Sequence, residues 1–137
     1  MKISAAVVCL NEEKNIARCL ESLSFCDEIV VVDNGSSDNS VKIARKFTKE
    51  IYFHKFAGFS DLKSFAVSKC RNDWVFILDA DEEVSSGLKF EIQNLKFDSD
   101  GYEVKRSTFF LGRLIRHCGW GNDYQLRLFD RRRGSFD

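Results

Sequence analysis

Three apolar segments, each ending in a cluster of polar residues, constrain the fold of this chain more than any other feature. Residues 3–10, 28–32 and 74–78 are nearly continuous runs of apolar and β-branched side chains, a pattern typical of strands buried on both faces. Segments with helical spacing of apolar residues lie at 16–23, 40–47, 61–69 and 88–95. Shorter strands are predicted at 50–54, 102–106 and 126–129. This alternation predicts an α/β fold with a mostly parallel, twisted sheet and helices on both faces.

The polar clusters begin at Asn11, Asp33 and Asp79, where the three apolar segments end. Ligands of open α/β sheets bind beyond the carboxyl ends of the strands. The three clusters therefore predict one shared ligand-binding crevice. Asn11 is also placed to cap the first helix.

The sequence Asp79-Ala80-Asp81 is a candidate metal site. Two carboxylates directly after an apolar strand offer the oxygen ligands that Mg²⁺ or Mn²⁺ prefers, and such an ion keeps waters and binds substrate phosphates. The alternative is an acidic turn that caps the next helix, because Glu82 and Glu83 also suit a helix start.

Asp33 is a candidate ligand-binding residue at the end of the second segment. A carboxylate there accepts hydrogen bonds from a ribose hydroxyl or a base N–H, and the alternative is a tight turn in which Asp33 bonds its own backbone. The chain has no G-x-G-x-x-G sequence, so a phosphate-bearing ligand needs the metal and a cation such as Lys63. The alternative for Lys63 is a solvated position on an exposed helix face.

Charge and cysteine usage exclude several function classes. The 137 residues carry 21 basic and 21 acidic side chains, and this balance predicts no nucleic-acid partner. Residues 104–137 hold 8 basic and 3 acidic side chains, which suggests an anionic partner such as a phosphate group or a membrane surface. No apolar run has the length needed to cross a bilayer. Five widely spaced cysteines without a CxxC pair indicate reduced thiols in the cytoplasm, and His54 and His117 support no catalytic triad.

Five motifs, in order, resemble those of family 2 glycosyltransferases with the GT-A fold. The first three are VVCLNEE at residues 7–13, VVDNGSSD at 31–38 and LDADE at 78–82. Residues 110–120 and 125–129 are more specifically similar to the subgroup that adds sugars to the lipopolysaccharide core. The resemblance covers essentially the whole chain. It implies a nucleotide-sugar-binding half at 1–100 and the start of an acceptor-binding half at 101–137.

The resemblance implies an inverting transfer from a nucleotide sugar, with a UDP-sugar favoured, to a lipid-linked or lipopolysaccharide-core glycan. By the same resemblance, Asn11 and Glu12 border the nucleoside pocket. Asp33 contacts the uracil or ribose, Lys63 lies near the nucleotide, and Asp79 lies near the ribose.

A divalent cation, Mg²⁺ or Mn²⁺, is also implied, held on the diphosphate by Asp81. Trp120 and Arg127 are assigned to the acceptor or to a phosphate group. Members of the subgroup are usually longer, and their His-Glu motif beyond the basic loop is absent here, so we expect a chain truncated at its C-terminus. Asp123 is the candidate general base within the chain, and the alternative is a base beyond Asp137. An enzyme of this kind is expected in the cytoplasm, with peripheral contact at the inner face of the inner membrane.

Two other interpretations remain. A haloacid-dehalogenase-type phosphatase also places Asp-x-Asp after an apolar strand, but it requires Thr or Val four residues after the first Asp, where this chain has Glu83. The second is a truncated transferase domain that binds nucleotide or a partner protein without turnover.

Overall fold

Strand β1 (Ile3–Cys9) lies between the two strands that carry the other polar clusters, and six of its seven residues are buried. We describe the chain from a computed structural model, in which residues 1–105, 114–115 and 124–133 are described. The elements after β1 are α1 (Ile16–Glu21), β2 (Glu28–Asp33), α2 (Ser40–Ala44), β3 (Ile51–Phe53), α3 (Phe59–Ser68), β4 (Trp74–Asp79), α4 (Ser86–Gln93), β5 (Gly101–Lys105), β6 (Leu114–Ile115) and β7 (Tyr124–Asp130).

The strands of the described residues form one sheet in the order β3-β2-β1-β4-β7-β5-β6. β1 pairs in parallel with β2 and β4, and β2 pairs in parallel with β3. The predicted α/β fold with its parallel sheet is therefore confirmed. The later strands extend the same sheet in antiparallel fashion, since β7 pairs with β4 and β5, and β5 pairs with β6. The division into halves at residue 100 remains a prediction.

Helices cover both faces of the sheet, as the sequence predicts. Side chains of a strand alternate between the two faces, so Val7 of β1 packs in one core and its neighbour Ala6 in the other. The first core includes Leu20 of α1 and Leu88 of α4, and the second includes Leu62 of α3.

Several helix boundaries differ from those predicted, and local hydrogen bonds explain two of the differences. α2 ends at Ala44 rather than at 47, because the amides of Lys46 and Phe47 bond to carbonyls three residues back and tighten the last turn. α4 begins two residues before the predicted start, because Ser85 caps it by accepting a 3.1 Å hydrogen bond from the Leu88 N–H.

A buried carboxylate holds the amino-terminal edge of the sheet together. Glu28 Oε1 accepts hydrogen bonds from the Ser4 hydroxyl at 2.7 Å and the Arg71 backbone N–H at 2.8 Å, and Oε2 accepts from Arg71 Nε at 2.7 Å. Burial alone raises the pKa of Glu28, but these hydrogen bonds and the Arg71 charge outweigh it and lower the pKa. This cluster lies at the end of the sheet opposite the polar clusters described next.

Candidate functional site

A cavity of about 570 Å³ opens at the carboxyl ends of β1 and β4. Its polar wall residues are Glu12, Asn34, Lys63, Asp79 and Asp81. Its apolar wall includes Val8, Leu10, Phe56, Phe59 and Leu62. The predicted crevice is thus present as a cavity where β1 and β4 end, with α3 and the loop before it forming the facing wall.

The two carboxylates predicted to bind metal both line this cavity. Asp79 is half-buried at the end of β4, and Asp81 is exposed. The backbone between them stays attached to the sheet, because the Ala80 N–H donates to the Val8 carbonyl at 3.0 Å. A turn follows at once, in which the Glu82 N–H donates to the Asp79 carbonyl at 2.9 Å. We call residues 79–82 the acidic loop.

Asp33 forms the tight turn that was the alternative to a ligand contact. Its Oδ2 accepts from the backbone N–H groups of Gly35 and Ser36, each at 3.0 Å, and its Oδ1 accepts from the Ser36 hydroxyl at 2.5 Å. The turn needs glycine at position 35, where φ is +121°. Asp33 is buried and does not line the cavity, whereas the next residue, Asn34, does.

Asn11 joins the end of β1 to this turn rather than capping a helix. The prediction of a cap is wrong, because α1 begins only after Asn15 and Asn11 has a left-handed backbone with φ of 52°. Its Oδ1 accepts the Ser37 N–H at 2.8 Å, and its own N–H donates to the Ser36 hydroxyl at 2.8 Å. Short polar side chains tolerate this backbone conformation because they can bond locally.

The α3 side of the cavity combines one cation with aromatic side chains. Lys63 lies on this wall, and its role near a phosphate-bearing ligand stays a prediction. Phe56 and Phe59 pack edge to face with ring centroids 5.1 Å apart, and both are exposed. Sequence reasoning missed these two rings, although the sequence has phenylalanine at every third position from Phe53 to Phe59.

Arg127 is buried, which contradicts its assignment to an acceptor or phosphate. Its side chain is 1% exposed. Its guanidinium makes two contacts of 2.9 Å with the Glu82 carboxylate, Nη1 to Oε1 and Nη2 to Oε2. The positive charge of Arg127 is therefore directed at the acidic loop and not at solvent. Trp120 and Asp123 lie outside the described residues.

The cysteine of the cavity wall is not activated as a nucleophile. Burial raises the pKa of Cys9 above its ordinary value, and hydrogen bonds with Ser40 and Ser36 only partly oppose this effect. The neutral thiol is therefore favoured. Among the described residues, no group of three or more His, Cys, Asp or Glu side chains could hold a metal ion unaided. Within the same ranges, no helix combines the length and apolarity needed to span a bilayer.

Solved structures support the fold of the site. Staphylococcus aureus TarS 1-349 in complex with UDP gives a TM-score of 0.55 at 26% identity, over 68% of this chain and 31% of that one. Glucosyl-3-phosphoglycerate synthase from Mycobacterium tuberculosis, in complex with Mn²⁺ and UDP-glucose, gives 0.53 at 24% identity, over 58% and 33%. These likenesses confirm the predicted GT-A fold.

Sequence relatives give the family. The chain is 31% identical to lipopolysaccharide core biosynthesis glycosyltransferase LpsC of Rhizobium meliloti, over all of this chain and 54% of LpsC. It is 44% identical to uncharacterized glycosyltransferase RT0209 of Rickettsia typhi, over 98% of this chain and 48% of that protein. The chain thus spans about half the length of these curated relatives. The phosphatase interpretation is contradicted, because the model of the family described as glycosyl transferase family 2 matches residues 4–110. The chain therefore belongs to glycosyl transferase family 2.

Proposed function

We propose that this chain binds a UDP-sugar in the cavity and provides the donor side of an inverting sugar transfer to a lipopolysaccharide-core or related lipid-linked glycan. The observation that carries the proposal is one cavity whose wall holds Asp79 and Asp81 together with Lys63. The relatives support it, because TarS and the mycobacterial synthase were solved with UDP or UDP-glucose and LpsC is named for lipopolysaccharide core biosynthesis.

The nucleotide contacts are proposed from the groups at the strand ends. Lys63 offers a cation to the diphosphate, and Glu12 and Asn34 offer polar atoms to the nucleoside. Asp33 uses three hydrogen bonds in its turn, and a carboxylate has about four acceptor positions. Asp33 does not itself line the cavity, but it directly precedes Asn34 of the cavity wall, and the remaining position on Oδ1 is the proposed acceptor for one N–H of uracil or one ribose hydroxyl that enters beside Asn34. Asn11 orients this turn through Ser37.

A divalent cation fits the donor set of the acidic loop. Mg²⁺ and Mn²⁺ are bound by one or two carboxylates together with water and substrate phosphates. Asp79 and Asp81 supply two carboxylates on the cavity wall, so Asp81 is the proposed ligand, with Asp79 beside it near the ribose. Such an ion, when bound, supplies Lewis-acid stabilisation of the departing diphosphate.

The transfer also needs a base for the acceptor hydroxyl. The acceptor oxygen forms a bond to the anomeric carbon while the bond from that carbon to the diphosphate breaks, and the base takes the hydroxyl proton. Asp123 is the proposed base within this chain, and Trp120 is the proposed acceptor contact. Asp123→Asn is expected to change transfer little if the base lies beyond Asp137, and to lower transfer by about 10²- to 10⁴-fold with donor affinity unchanged if Asp123 is the base. Unchanged transfer would exclude Asp123 and favour a base beyond Asp137.

The exposed basic residues at the end of β7 suit a peripheral position at an anionic membrane. Arg132 and Arg133 have side chains that are about two-thirds exposed, although both also contact Asp130. We propose that they hold the chain near an anionic acceptor at the inner membrane leaflet, in the cytoplasm. Sedimentation with phosphatidylglycerol vesicles is expected to decrease as salt rises from about 0.05 to 0.5 M.

Calorimetric titration of UDP tests the donor proposal. The chain is titrated with Mn²⁺ and with EDTA, and Asp81→Ala is compared with Asp73→Ala. Asp73 is an exposed carboxylate directly before β4, so the two variants remove the same group at opposite ends of one strand. We expect tight binding only with Mn²⁺, loss of that dependence in Asp81→Ala, and no change in Asp73→Ala.

The outcomes separate the parts of the proposal. Equal UDP affinity with Mn²⁺ and EDTA would exclude the metal role and retain the nucleotide site. No UDP binding under either condition would exclude the proposed function. Donor binding without transfer or donor hydrolysis would favour a chain that binds nucleotide without turnover.

A further inference from the structure

We propose that the buried pair of Glu82 and Arg127 positions the acidic loop for the metal and diphosphate. This inference rests on the proposed function, and it assigns a role to two residues that do not line the cavity. Glu82 follows Asp81 directly, yet its carboxylate is buried while that of Asp81 is exposed. The loop thus directs the Glu82 carboxylate inward, whereas Asp79 and Asp81 before it lie on the cavity wall.

The pair replaces main-chain pairing where two strands separate. The antiparallel ladder between β4 and β7 joins Trp74 to Asp130, Val75 to Phe129 and Phe76 to Leu128. Beyond Phe76, the edge of β4 that faces β7 is bonded by side chains instead. Arg127 Nη1 donates to the Ile77 carbonyl at 3.4 Å, and the Asp79 N–H donates to Glu82 Oε1 at 2.9 Å.

The same carboxylate therefore holds both ends of the loop. Glu82 Oε1 accepts from the Asp79 backbone and also contacts Arg127, while the Glu82 N–H donates to the Asp79 carbonyl. Arg127 fixes this carboxylate through a fork of two parallel contacts, a geometry that defines direction as well as distance. Hydrogen bonds therefore hold both the N–H and the carbonyl of Asp79. This fixed backbone sets the directions in which the side chains of Asp79 and Asp81 leave the loop.

Stability alone is a poor explanation for a charged pair at this position. Removing two charges from water costs free energy, and apolar residues of similar volume often stabilise a protein as well or better. Arg127 Nε is moreover a buried nitrogen that lacks a hydrogen-bond partner within the described part of the chain. An apolar pair would provide neither an acceptor for the Asp79 N–H nor a donor for the Ile77 carbonyl. The pair is accordingly assigned to positioning, and its partner groups lie directly beside the proposed metal ligands.

A double variant, Glu82→Met with Arg127→Met, tests the role without leaving one buried charge unpaired. The matched control is Glu28→Met with Arg71→Met, because Glu28 also accepts a backbone N–H and contacts an arginine, at the opposite end of the sheet. Loss of groups that orient metal ligands typically lowers metal affinity by about 10- to 100-fold. We expect that loss in the Mn²⁺-dependent affinity for UDP in the first variant, and unchanged affinity in the control.

Hydrogen exchange of the Asp79 amide, followed by NMR without ligand, gives a second readout. The first double variant is expected to exchange this amide about tenfold faster, as for the loss of one hydrogen bond, and the control is expected to match wild type. If this double variant does not fold, Glu82→Gln with Arg127→Met keeps an acceptor for the Asp79 N–H and leaves no buried charge unpaired, and it is expected to show a smaller loss in the same direction.

The two readouts separate failure of this inference from failure of the proposed function. Wild-type UDP affinity in the folded double variant, or in Glu82→Gln with Arg127→Met, would overturn the inference while the donor site stands. If the wild-type chain bound no UDP with Mn²⁺, the proposed function would fail. The Asp79 exchange rate would then decide the positioning role, and an unchanged rate would overturn it.

Discussion

Replacement of Asp33 tests how the turn after β2 is held, and its cost can be worked out from the hydrogen bonds. Asp33→Ala removes the acceptor of two backbone N–H groups, those of Gly35 and Ser36. Gly35 is exposed and Ser36 half-buried, so each N–H regains some water, and the lower end of the usual penalty applies. At about 1 kcal/mol for each N–H, the free energy of unfolding should fall by about 2 kcal/mol.

Asp33→Asn is expected to cost less than half as much, because the amide oxygen still accepts from the backbone. Urea unfolding followed by circular dichroism measures both variants, and an unchanged m-value would show that only stability has changed. For a chain of this size, a loss of about 2 kcal/mol corresponds to a decrease of roughly 7 °C in Tm. The folded Asn variant is also expected to bind UDP more weakly, since it cannot offer the same charged acceptor.

Asp27 provides the matched control for this prediction. Its Oδ2 accepts the Ile3 N–H at 2.8 Å at the other end of the sheet. Asp27→Ala removes one hydrogen bond, so it should cost about 1 kcal/mol and leave UDP affinity unchanged. A wild-type urea midpoint for Asp33→Ala would refute the argument that these hydrogen bonds hold the turn.

Three further predictions concern stability and reactivity. The side chain of Arg132 lowers the pKa of Asp130 to about 2 from 3.8. The stability that the charged Asp130 contributes is therefore present above about pH 4 and is lost as pH falls towards 2. Acid titration of Asp130→Asn should lack this loss of stability between about pH 4 and pH 2. Burial raises the pKa of Cys19 well above its ordinary value, so peptide mass spectrometry should find it alkylated by iodoacetamide only after denaturation, and rapid native labelling would contradict this. Phe76→Ala should cost about 3–5 kcal/mol because Phe76 is fully buried, whereas Phe90→Ala at an exposed position should stay within about 0.5 kcal/mol; similar urea midpoints for the two would refute the assigned burial.

The parallel half of the fold could be predicted because its signals are local. Each of β1, β2 and β4 is a short apolar run; β2 and β4 end on the first residue of a polar cluster, and β1 ends two residues before one. The position of the cavity follows from the rule that parallel strands end at one edge of the sheet. The strand ends and the family resemblance together assign six residues to one site. Four of them line the cavity, Glu12, Lys63, Asp79 and Asp81, whereas Asn11 and Asp33 do not.

The remaining features depend on contacts between distant parts of the chain. The periodicity of residues 124–130 does not reveal that β7 pairs with β4, about 50 residues earlier. Asn11 has the residue type of a helix cap, yet Ser36 and Ser37 compete for its backbone and side chain. A local rule therefore failed where a tertiary hydrogen bond replaced the local one.

Arg127 shows most clearly why the chemistry of a charged residue cannot be assigned from its own neighbourhood. It stands four residues before Arg131 in a basic segment, and on composition alone it resembles the surface arginines that follow it. Its burial requires a carboxylate at the same place, and that carboxylate is Glu82, 45 residues away. In the alternative interpretation of the acidic loop, the same local reasoning assigned Glu82 to a helix start, whereas the pairing directs its carboxylate into the core and leaves Asp79 and Asp81 on the cavity wall. Both errors have a single origin, because a charge is stable in the interior only with its partner, and the partner is a property of the sheet rather than of the sequence around it.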